Sequence, residues 1–188
     1  EMYSSEELNT SFSFDFNGLD QVMEGKMRPG HFNGVVQVVS RLFDLVRPTR
    51  AYFGEKDFQQ LAIIRHMVTT SSLAQQYTNL QIIGCPIVRE KSGLALSSRN
   101  QRLSETEKQT AVAISQTLFA SLEWAKTVSV TEVQQRVIDT INAIEGLEVE
   151  YYEIVDKTTL QPTTTFHNAI GCITVYCGKV RLIDNIRY

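Results

Sequence analysis

The chain has 188 residues, which is enough for one domain or for two small domains that share an interface. Eighteen Lys and Arg residues against twenty-one Asp and Glu residues give a formal charge of -3, and the mean hydropathy is -0.14. These ordinary globular values exclude a disordered, collagenous or disulfide-scaffold chain. The mild acidity gives no reason to expect a nucleic-acid partner or an anionic membrane partner.

The sequence contains neither a membrane-spanning pattern nor a metal-binding motif. No apolar run approaches the roughly 18–20 residues that span a bilayer, and the N-terminus has no signal-peptide pattern, so we expect a cytoplasmic protein. The three cysteines form neither a CxxC pair nor a Cys/His cluster, and the three histidines have no metal-binding spacing. We therefore predict no protein-bound metal and free thiols at Cys85, Cys172 and Cys177.

Helical and extended patterns alternate in the first half of the chain. Apolar residues at helical spacing predict an amphipathic helix over 33–46, and the spacing resumes over 58–68. Short apolar runs predict strands at 50–53 and 80–83, and an aromatic alternation predicts a short strand around 12–16. The order helix, strand, helix, strand is typical of parallel crossover units, so we predict an α/β fold for this part.

The pattern changes after residue 86. Ser104 and Ser129 each precede a glutamate by three residues and open an apolar helical pattern, which predicts two helices with capping boxes. Strand-like stretches follow at 147–155, 169–176 and 180–186, the last two joined as a hairpin. We therefore predict two domains, 1–86 and 87–188, the second an α+β domain with a three-stranded antiparallel sheet.

The first candidate site is the polar turn GEKDFQQ at 54–60, which follows the strand predicted at 50–53. Ligands of open α/β sheets gather at the carboxyl ends of strands, where helix N-termini present free N–H groups to anions. Gly54 would let the backbone approach a phosphate, and Lys56 adds a positive charge. Asp57 can accept hydrogen bonds from a ribose, with Gln60 on the same helical face. A surface turn with a solvated lysine is the open alternative.

The second candidate site is VREKSGLALSSRN at 88–100, which we predict to lie in a polar loop before a capped helix. Ser97 and Ser98 followed by Arg99 form a typical phosphate-binding set, because a guanidinium binds two phosphate oxygens at once. A polar linker is the open alternative. The chain contains neither a Walker-type phosphate loop nor GxGxxG, so a nucleotide site here belongs to neither of those classes.

A third candidate is the turn RPGHFNG at 28–34. Arg28 and His31 could reach an anionic ligand from this turn, and the imidazole of His31 could titrate near neutral pH. A local hydrogen-bonding role for His31 is the open alternative.

Four blocks, in order, resemble the pantothenate synthetase (pantoate–β-alanine ligase) family: RPGHFNGVVQVV, AYFGEKDFQQL, IVREKSGLALSSRN and RLIDNI. The resemblance implies a remnant of the Rossmann-like parallel sheet of HIGH-superfamily nucleotidylyl transferases, followed by a C-terminal α+β lid domain. It also implies ATP-dependent, Mg²⁺-assisted joining of pantoate and β-alanine through a pantoyl adenylate, by a homodimer.

The resemblance also implies roles for individual residues. Gln60 would hold pantoate, and Arg28 and His31 would lie at the edge of the site. Lys56, Ser97 and Arg99 would act on the reacting phosphates as catalytic residues. The ATP contacts would come from Gly54, Glu55, Lys56, Asp57, Val88, Leu96, Ser97, Ser98 and Arg99.

One feature of the family is not found in this sequence. The HxGH signature, whose histidines face the ATP phosphates, has no counterpart, because the only Gly-His pair contains His31 and lies in RPGHF. The chain also begins at Glu1, without an initiator methionine. We therefore expect it to correspond to the later two-thirds of the enzyme and to have little ligase activity alone. Two alternative functions stay open: the chain could be part of another adenylate-forming enzyme, or it could be a non-catalytic binding or dimerisation module.

Overall fold

The computed structural model describes residues 13–69 and 73–188, which divide into two compact units. The first unit comprises Glu1–Phe53 and Gln59–Cys85, and the second comprises Gly54–Phe58 and Pro86–Tyr188. The short segment 54–58 is therefore part of the second unit, although it comes from the middle of the first unit's sequence.

The described part of the first unit combines helices with a two-stranded parallel sheet formed by β1 and β2. The elements are α1 (Met23–Met27), α2 (His31–Val46), β1 (Arg50–Gly54), α3 (Phe58–Thr69) and β2 (Gln81–Cys85), with a 3₁₀ turn at Ala74–Tyr77. The two predicted helices and both predicted strands of this part are confirmed. Of the strand predicted around 12–16, residue 12 lies outside the described residues, and 13–16 form no strand.

The longest helix of the first unit, α2, shows how local sequence sets its limits. Gly30 precedes it with a φ of 79°, a left-handed conformation that favours glycine, and Arg47 ends it with a φ of 48°. Pro48 follows and cannot continue a helix. The helix buries Phe32, Val36 and Phe43 on one side. It exposes an apolar row, here called the α2 stripe: Val38, Leu42, Leu45 and Val46.

The second unit contains two helices and a three-stranded antiparallel sheet in the order β3-β4-β5, as predicted. The elements are α4 (Glu105–Trp124), α5 (Val130–Asn142), β3 (Leu147–Asp156), β4 (Ala169–Cys177) and β5 (Val180–Arg187). Both predicted capping boxes form, at Ser104 with Glu107 and at Ser129 with Glu132.

The core of the second unit lies between α4, α5 and the sheet. It is a continuous apolar cluster that includes Ile114 and Leu118 from α4, Val137 and Ile141 from α5, and Ile173 from β4, each at most 3% exposed. Burial of these side chains is the main stabilising contribution to this unit.

The cysteines are free thiols, as predicted: Cys85 is half-buried, and Cys172 and Cys177 are buried. Among residues 13–69 and 73–188, no group of three or more His, Cys, Asp or Glu side chains is arranged to hold a metal ion. No helix in those ranges is both long and apolar enough to cross a membrane.

Candidate functional site

The second candidate segment folds into a narrow hairpin rather than the polar loop predicted from the sequence. Leu96 donates its backbone N–H to the Val88 carbonyl oxygen at 2.9 Å, and Glu90 donates its own to the Leu94 carbonyl oxygen at 2.9 Å. Gly93 makes the turn with a φ of 99°. The prediction of a loop missed this backbone pairing, because so short a hairpin produces no periodic pattern of apolar residues in the sequence.

A 3₁₀ turn at Ser98–Arg102 follows the hairpin and is fixed at both ends. Ser97 Oγ accepts a hydrogen bond from the Arg99 backbone N–H at 3.2 Å. Asn100 is buried and donates from Nδ2 to the Ala95 carbonyl oxygen at 3.1 Å and to Glu90 Oε1 at 3.3 Å. The Ser97 and Arg99 backbones are therefore held in a defined local structure.

A buried ion pair connects the hairpin to β5. Arg89 donates from Nη1 to Asp184 Oδ2 at 2.6 Å and from Nη2 to Asp184 Oδ1 at 2.8 Å. The Asp184 side chain is only 5% exposed, and the Arg89 guanidinium also lies 5.2 Å from the centre of the Phe119 ring. A two-bond pair of this kind fixes both position and orientation.

The first candidate segment, 54–58, is held by the next residues of β5. Asn185 donates from Nδ2 to the Glu55 carbonyl oxygen at 2.8 Å and to the Lys56 carbonyl oxygen at 3.0 Å. Arg187 Nη2 lies 2.7 Å from Glu55 Oε1. The backbone of the turn that carries Lys56 is thus tied to the sheet of the second unit.

A small pocket in the second unit is lined by residues from both candidate segments. Lys56 comes from the first, Ser97 and Asn100 from the second, and Asp184 from β5. Asn100 Oδ1 is buried and has no hydrogen-bond partner among the described residues. A lysine, a serine and an asparagine from the two segments therefore line one recess, and lysine and serine are residue types that bind phosphates.

The remaining residues assigned to ATP lie on the same two segments. Glu55 and Arg99 are half-buried, and Arg99 donates from Nη1 to the Arg181 carbonyl oxygen at 3.4 Å. The others are exposed: Gly54, Asp57, Val88, Leu96 and Ser98. Val88 and Leu96 expose apolar side chains, 65% and 49% respectively.

The space around Gly54 is not filled by packed side chains. A Cβ built at Gly54 meets no atom of the described residues within 4 Å, and its φ is not in the left-handed region. Neither packing nor backbone strain within the described chain therefore calls for glycine here. The close approach of a ligand to Gly54 stays a prediction from the sequence.

The three other predicted site residues belong to the first unit. Gln60 is half-buried on α3. Its neighbour Gln59 is buried and donates to the carbonyl oxygens of Leu19 at 2.7 Å and Val22 at 2.8 Å, which is a structural role. Arg28 Nη1 lies 3.2 Å from His31 Nε2, so these two side chains contact each other.

Sequence reasoning gave no role to Arg89, Asp184 or Asn185. The block RLIDNI contributed only to the resemblance, although it contained a usable signal. Asp184 and Asn185 are adjacent polar residues between the apolar Ile183 and Ile186 of β5, and polar side chains that are buried in a strand need partners.

Comparison with solved structures identifies the class first. Pantothenate synthetase from Thermus thermophilus matches with a TM-score of 0.89 and 38% identity, over 100% of this chain and 66% of that chain. The pantoate-beta-alanine ligase from Francisella tularensis, described as complexed with beta-gamma ATP and beta-alanine, matches with a TM-score of 0.65 and 32% identity, over 90% and 55% of the two chains. The protein is therefore a ligase homologue of α/β fold.

Sequence comparison identifies the family. The profile described as Pantoate-beta-alanine ligase matches residues 1–187. The pantothenate synthetases of Phocaeicola vulgatus and Bacteroides fragilis are 61% and 58% identical over 178 residues, which is 93% of this chain. The chain belongs to the pantoate–β-alanine ligase family. It spans 62% and 61% of the length of those two relatives.

Proposed function

We propose that the chain supplies the nucleotide-binding segments and the C-terminal domain of a pantoate–β-alanine ligase. The first domain, 1–86, is proposed as a part of the Rossmann-like fold, and the second, 87–188, as the lid. A pantoate carboxylate oxygen attacks the α-phosphorus of ATP, and pyrophosphate leaves. The amine of β-alanine then attacks the carbonyl carbon of the pantoyl adenylate, gives up a proton, and AMP leaves.

The observation that supports this proposal best is the shared pocket. Lys56 and Ser97 are far apart in sequence and line the same recess, and the segments that carry them are both tied to β5. In the proposal, Lys56 and Arg99 stabilise negative charge on the phosphoryl oxygens, and Ser97 donates a hydrogen bond to them. Such positioned charges account for most of the catalysis in phosphoryl and nucleotidyl transfer.

The other proposed contacts position the substrates. Asp57 accepts hydrogen bonds from the ribose of ATP, and Gln60 binds pantoate. Gly54 lets the backbone approach the phosphates, which the empty space around its Cβ position would permit. Arg28 and His31 stay at the edge of the site. Fixing two reactants in line in this way converts an encounter in solution into a reaction within one complex.

Mg²⁺ enters the proposal as part of the MgATP substrate. The described residues offer no group of three His, Cys, Asp or Glu side chains for a metal. Asp184, which lines the pocket, is already paired with Arg89, and Glu55 is paired with Arg187. Mg²⁺ commonly binds through substrate phosphates and water, with few protein ligands. No step is therefore assigned to a protein-bound metal.

Nucleotide binding by the 188-residue chain tests the proposal. Calorimetric titration with MgATP should show binding, and Lys56→Ala and Arg99→Ala should each weaken it about tenfold or more, because each removes a charge-assisted hydrogen bond. Matched controls are Lys126→Ala, an exposed lysine paired with Glu123, and Arg102→Ala, an exposed arginine in the same 3₁₀ turn. Equal losses in the controls, or none in the two test variants, would refute these roles.

Substrate identity and activity need a second measurement. We expect the chain alone to release little pyrophosphate, and to form AMP far more slowly than the complete Phocaeicola vulgatus enzyme measured beside it. Pantoate at saturating concentration should tighten MgATP binding, whereas other hydroxy acids should not. An equal effect of other hydroxy acids would favour a different adenylate-forming enzyme.

The proposed assembly is a homodimer, which rests on the family resemblance, and the proposed location is the cytoplasm, because no apolar run of the sequence approaches the length that spans a bilayer. Sedimentation equilibrium of the chain at several concentrations tests the dimer. Association without any nucleotide binding would favour the alternative of a non-catalytic binding or dimerisation module.

A further inference from the structure

We infer that Asp184 and Asn185, adjacent residues of β5, are positioning residues that together hold the two segments of the nucleotide site in register. This inference rests on the proposed function for what the segments bind, but the anchoring itself is a property of the fold. It gives the RLIDNI block a role beyond family resemblance.

Asn185 holds the first segment through the backbone. Its Nδ2 group has two protons, and it donates them to two successive carbonyl oxygens, those of Glu55 at 2.8 Å and Lys56 at 3.0 Å. The side chain is buried, at 5% exposure, so these bonds do not compete with bulk water. Fixing both carbonyls fixes the two peptide planes that flank the Lys56 Cα atom, and with them the direction in which the Lys56 side chain leaves the backbone.

Asp184 holds the second segment through a side chain. Its two carboxylate oxygens accept from the two terminal nitrogens of Arg89 at 2.6 and 2.8 Å, and Arg89 Nη1 also donates to the Gly93 carbonyl oxygen at 3.2 Å. Because Arg89 and Gly93 lie on opposite sides of the hairpin turn, one guanidinium fixes the hairpin to β5. The hairpin leads directly to Ser97.

The two anchors are coupled to each other. Asn185 donates its backbone N–H to Asp184 Oδ1 at 2.8 Å, and successive residues of a strand direct their side chains to opposite faces. One strand can therefore hold two segments at once, and a shift of either segment disturbs the same pair of residues. A site built from two distant segments needs such support to keep its groups within a fraction of an ångström.

A measurement without nucleotide tests the anchoring. Trypsin cleaves after lysine, so the initial rate at the Lys56–Asp57 bond, divided by the rate at the exposed Lys126, reports local opening of the turn. Asn185→Ala should raise this ratio about fivefold or more. The matched control is Asn142→Ala, which also removes a side-chain hydrogen bond in the second unit, from the Val149 backbone N–H at 2.8 Å, and should leave the ratio unchanged.

An unchanged ratio in a folded Asn185→Ala variant would overturn the inference. If that variant does not fold, Asn185→Ser keeps one donor and should raise the ratio by a smaller factor. NMR of the unaltered chain also tests whether the Asn185 side chain makes these contacts. The side-chain NH₂ protons of Asn185 should exchange with solvent more slowly than those of the exposed Asn79, and equal rates would refute the two carbonyl contacts.

Nucleotide affinity then separates the anchoring from the proposed function. Asn185→Ala and Asp184→Asn should each weaken MgATP binding about tenfold, measured at a temperature at which thermal unfolding curves show each variant to be fully folded. If the unaltered chain binds no MgATP, the proposed function is refuted, but the trypsin ratio still tests whether Asn185 holds the turn that carries Lys56. If the ratio rises but affinity is unchanged, Asp184 and Asn185 stabilise the fold without positioning the site.

Discussion

The two units of the chain bury their apolar side chains to different extents. The second unit surrounds one continuous core, whereas the first exposes the α2 stripe, in which Leu45 and Val46 are 58% and 69% exposed. The candidate residues divide in the same way, because both proposed ATP segments belong to the second unit and only Gln60, Arg28 and His31 belong to the first. Both proposed ATP segments are therefore attached to the sheet that packs on the continuous core.

The largest expected effect comes from the core of the second unit. Leu118→Ala removes a side chain that is 1% exposed and should lower the free energy of unfolding by about 2–5 kcal/mol. Leu45→Ala is the matched substitution on the α2 stripe and should change it by no more than about 0.5 kcal/mol. Urea unfolding followed by far-ultraviolet circular dichroism reports the helices of both units, and fluorescence of Trp124, the single tryptophan, reports the second unit separately.

The contrast between the buried core of the second unit and the exposed α2 stripe of the first would be wrong if Leu118→Ala and Leu45→Ala lost similar stability. A large loss in Leu45→Ala would mean that the α2 stripe is covered in solution. Sedimentation of that variant against the unaltered chain would then show whether a second copy covers it.

A smaller effect is expected from close packing inside the first unit. A Cβ at Gly25 of α1 would collide with the backbone of Asp20, so Gly25→Ala should cost about 1–3 kcal/mol. Gly34 lies in α2 with no described atom within 4 Å of its Cβ position, and Gly34→Ala should stabilise the helix by about 0.5–1 kcal/mol. Hydrogen exchange of α1 peptides measures the first variant and that of α2 peptides the second, and stability changes of the same sign would contradict the contrast between the two glycines.

The sequence predicted the elements whose signals are local. The capping boxes at Ser104 and Ser129 and the apolar periodicity of α2 each lie within a few turns of helix, and each is confirmed. Helix α1 was missed because five residues carry too little periodicity, and the close approach of Gly25 to Asp20 is not visible in a pattern.

The candidate site was predictable only in part, for the same reason. GEKD and SSRN could be selected from residue types, but the contacts of Asn185 with Glu55 and of Asp184 with Arg89 join residues that are far apart in sequence. Nothing in single-sequence spacing encodes such pairs. The assignment of 54–58 to the second unit is likewise a tertiary result.

The capping boxes predict how the second unit responds to acid. Backbone and side-chain hydrogen bonds with Ser104 hold the pKa of Glu107 below its ordinary 4.5, and side-chain and backbone bonds with Ser129 do the same for Glu132. A lowered folded-state pKa means that the stabilisation is present above about pH 4.5 and is lost as the pH falls through the lowered value.

Two measurements test the caps. Ser104→Ala should cost about 1 kcal/mol at neutral pH, by urea unfolding followed at Trp124. Glu107→Gln should flatten the loss of stability below about pH 4.5, whereas Glu145→Gln, an exposed acid between α5 and β3, should leave that loss unchanged. An identical acid response in both glutamine variants would contradict the role given to the capping boxes.

The smallest expected effect lies in the first unit and has the opposite pH dependence. Burial, the charge of Asp44 and a hydrogen bond from Tyr77 Oη to Asp44 Oδ1 at 3.2 Å raise the pKa of Tyr77 from 10.0 to about 12. Because the folded-state pKa is raised, this stabilisation is complete below about pH 10 and is lost as the pH rises toward about 12. Tyr77→Phe should cost only about 0.5 kcal/mol at neutral pH, since exposed Asp44 regains water. Subtracting the ultraviolet phenolate titration of this variant from that of the unaltered chain should leave one group that titrates near pH 12, and a difference centred near pH 10 would show that the first unit is as open at Tyr77 as it is along the α2 stripe.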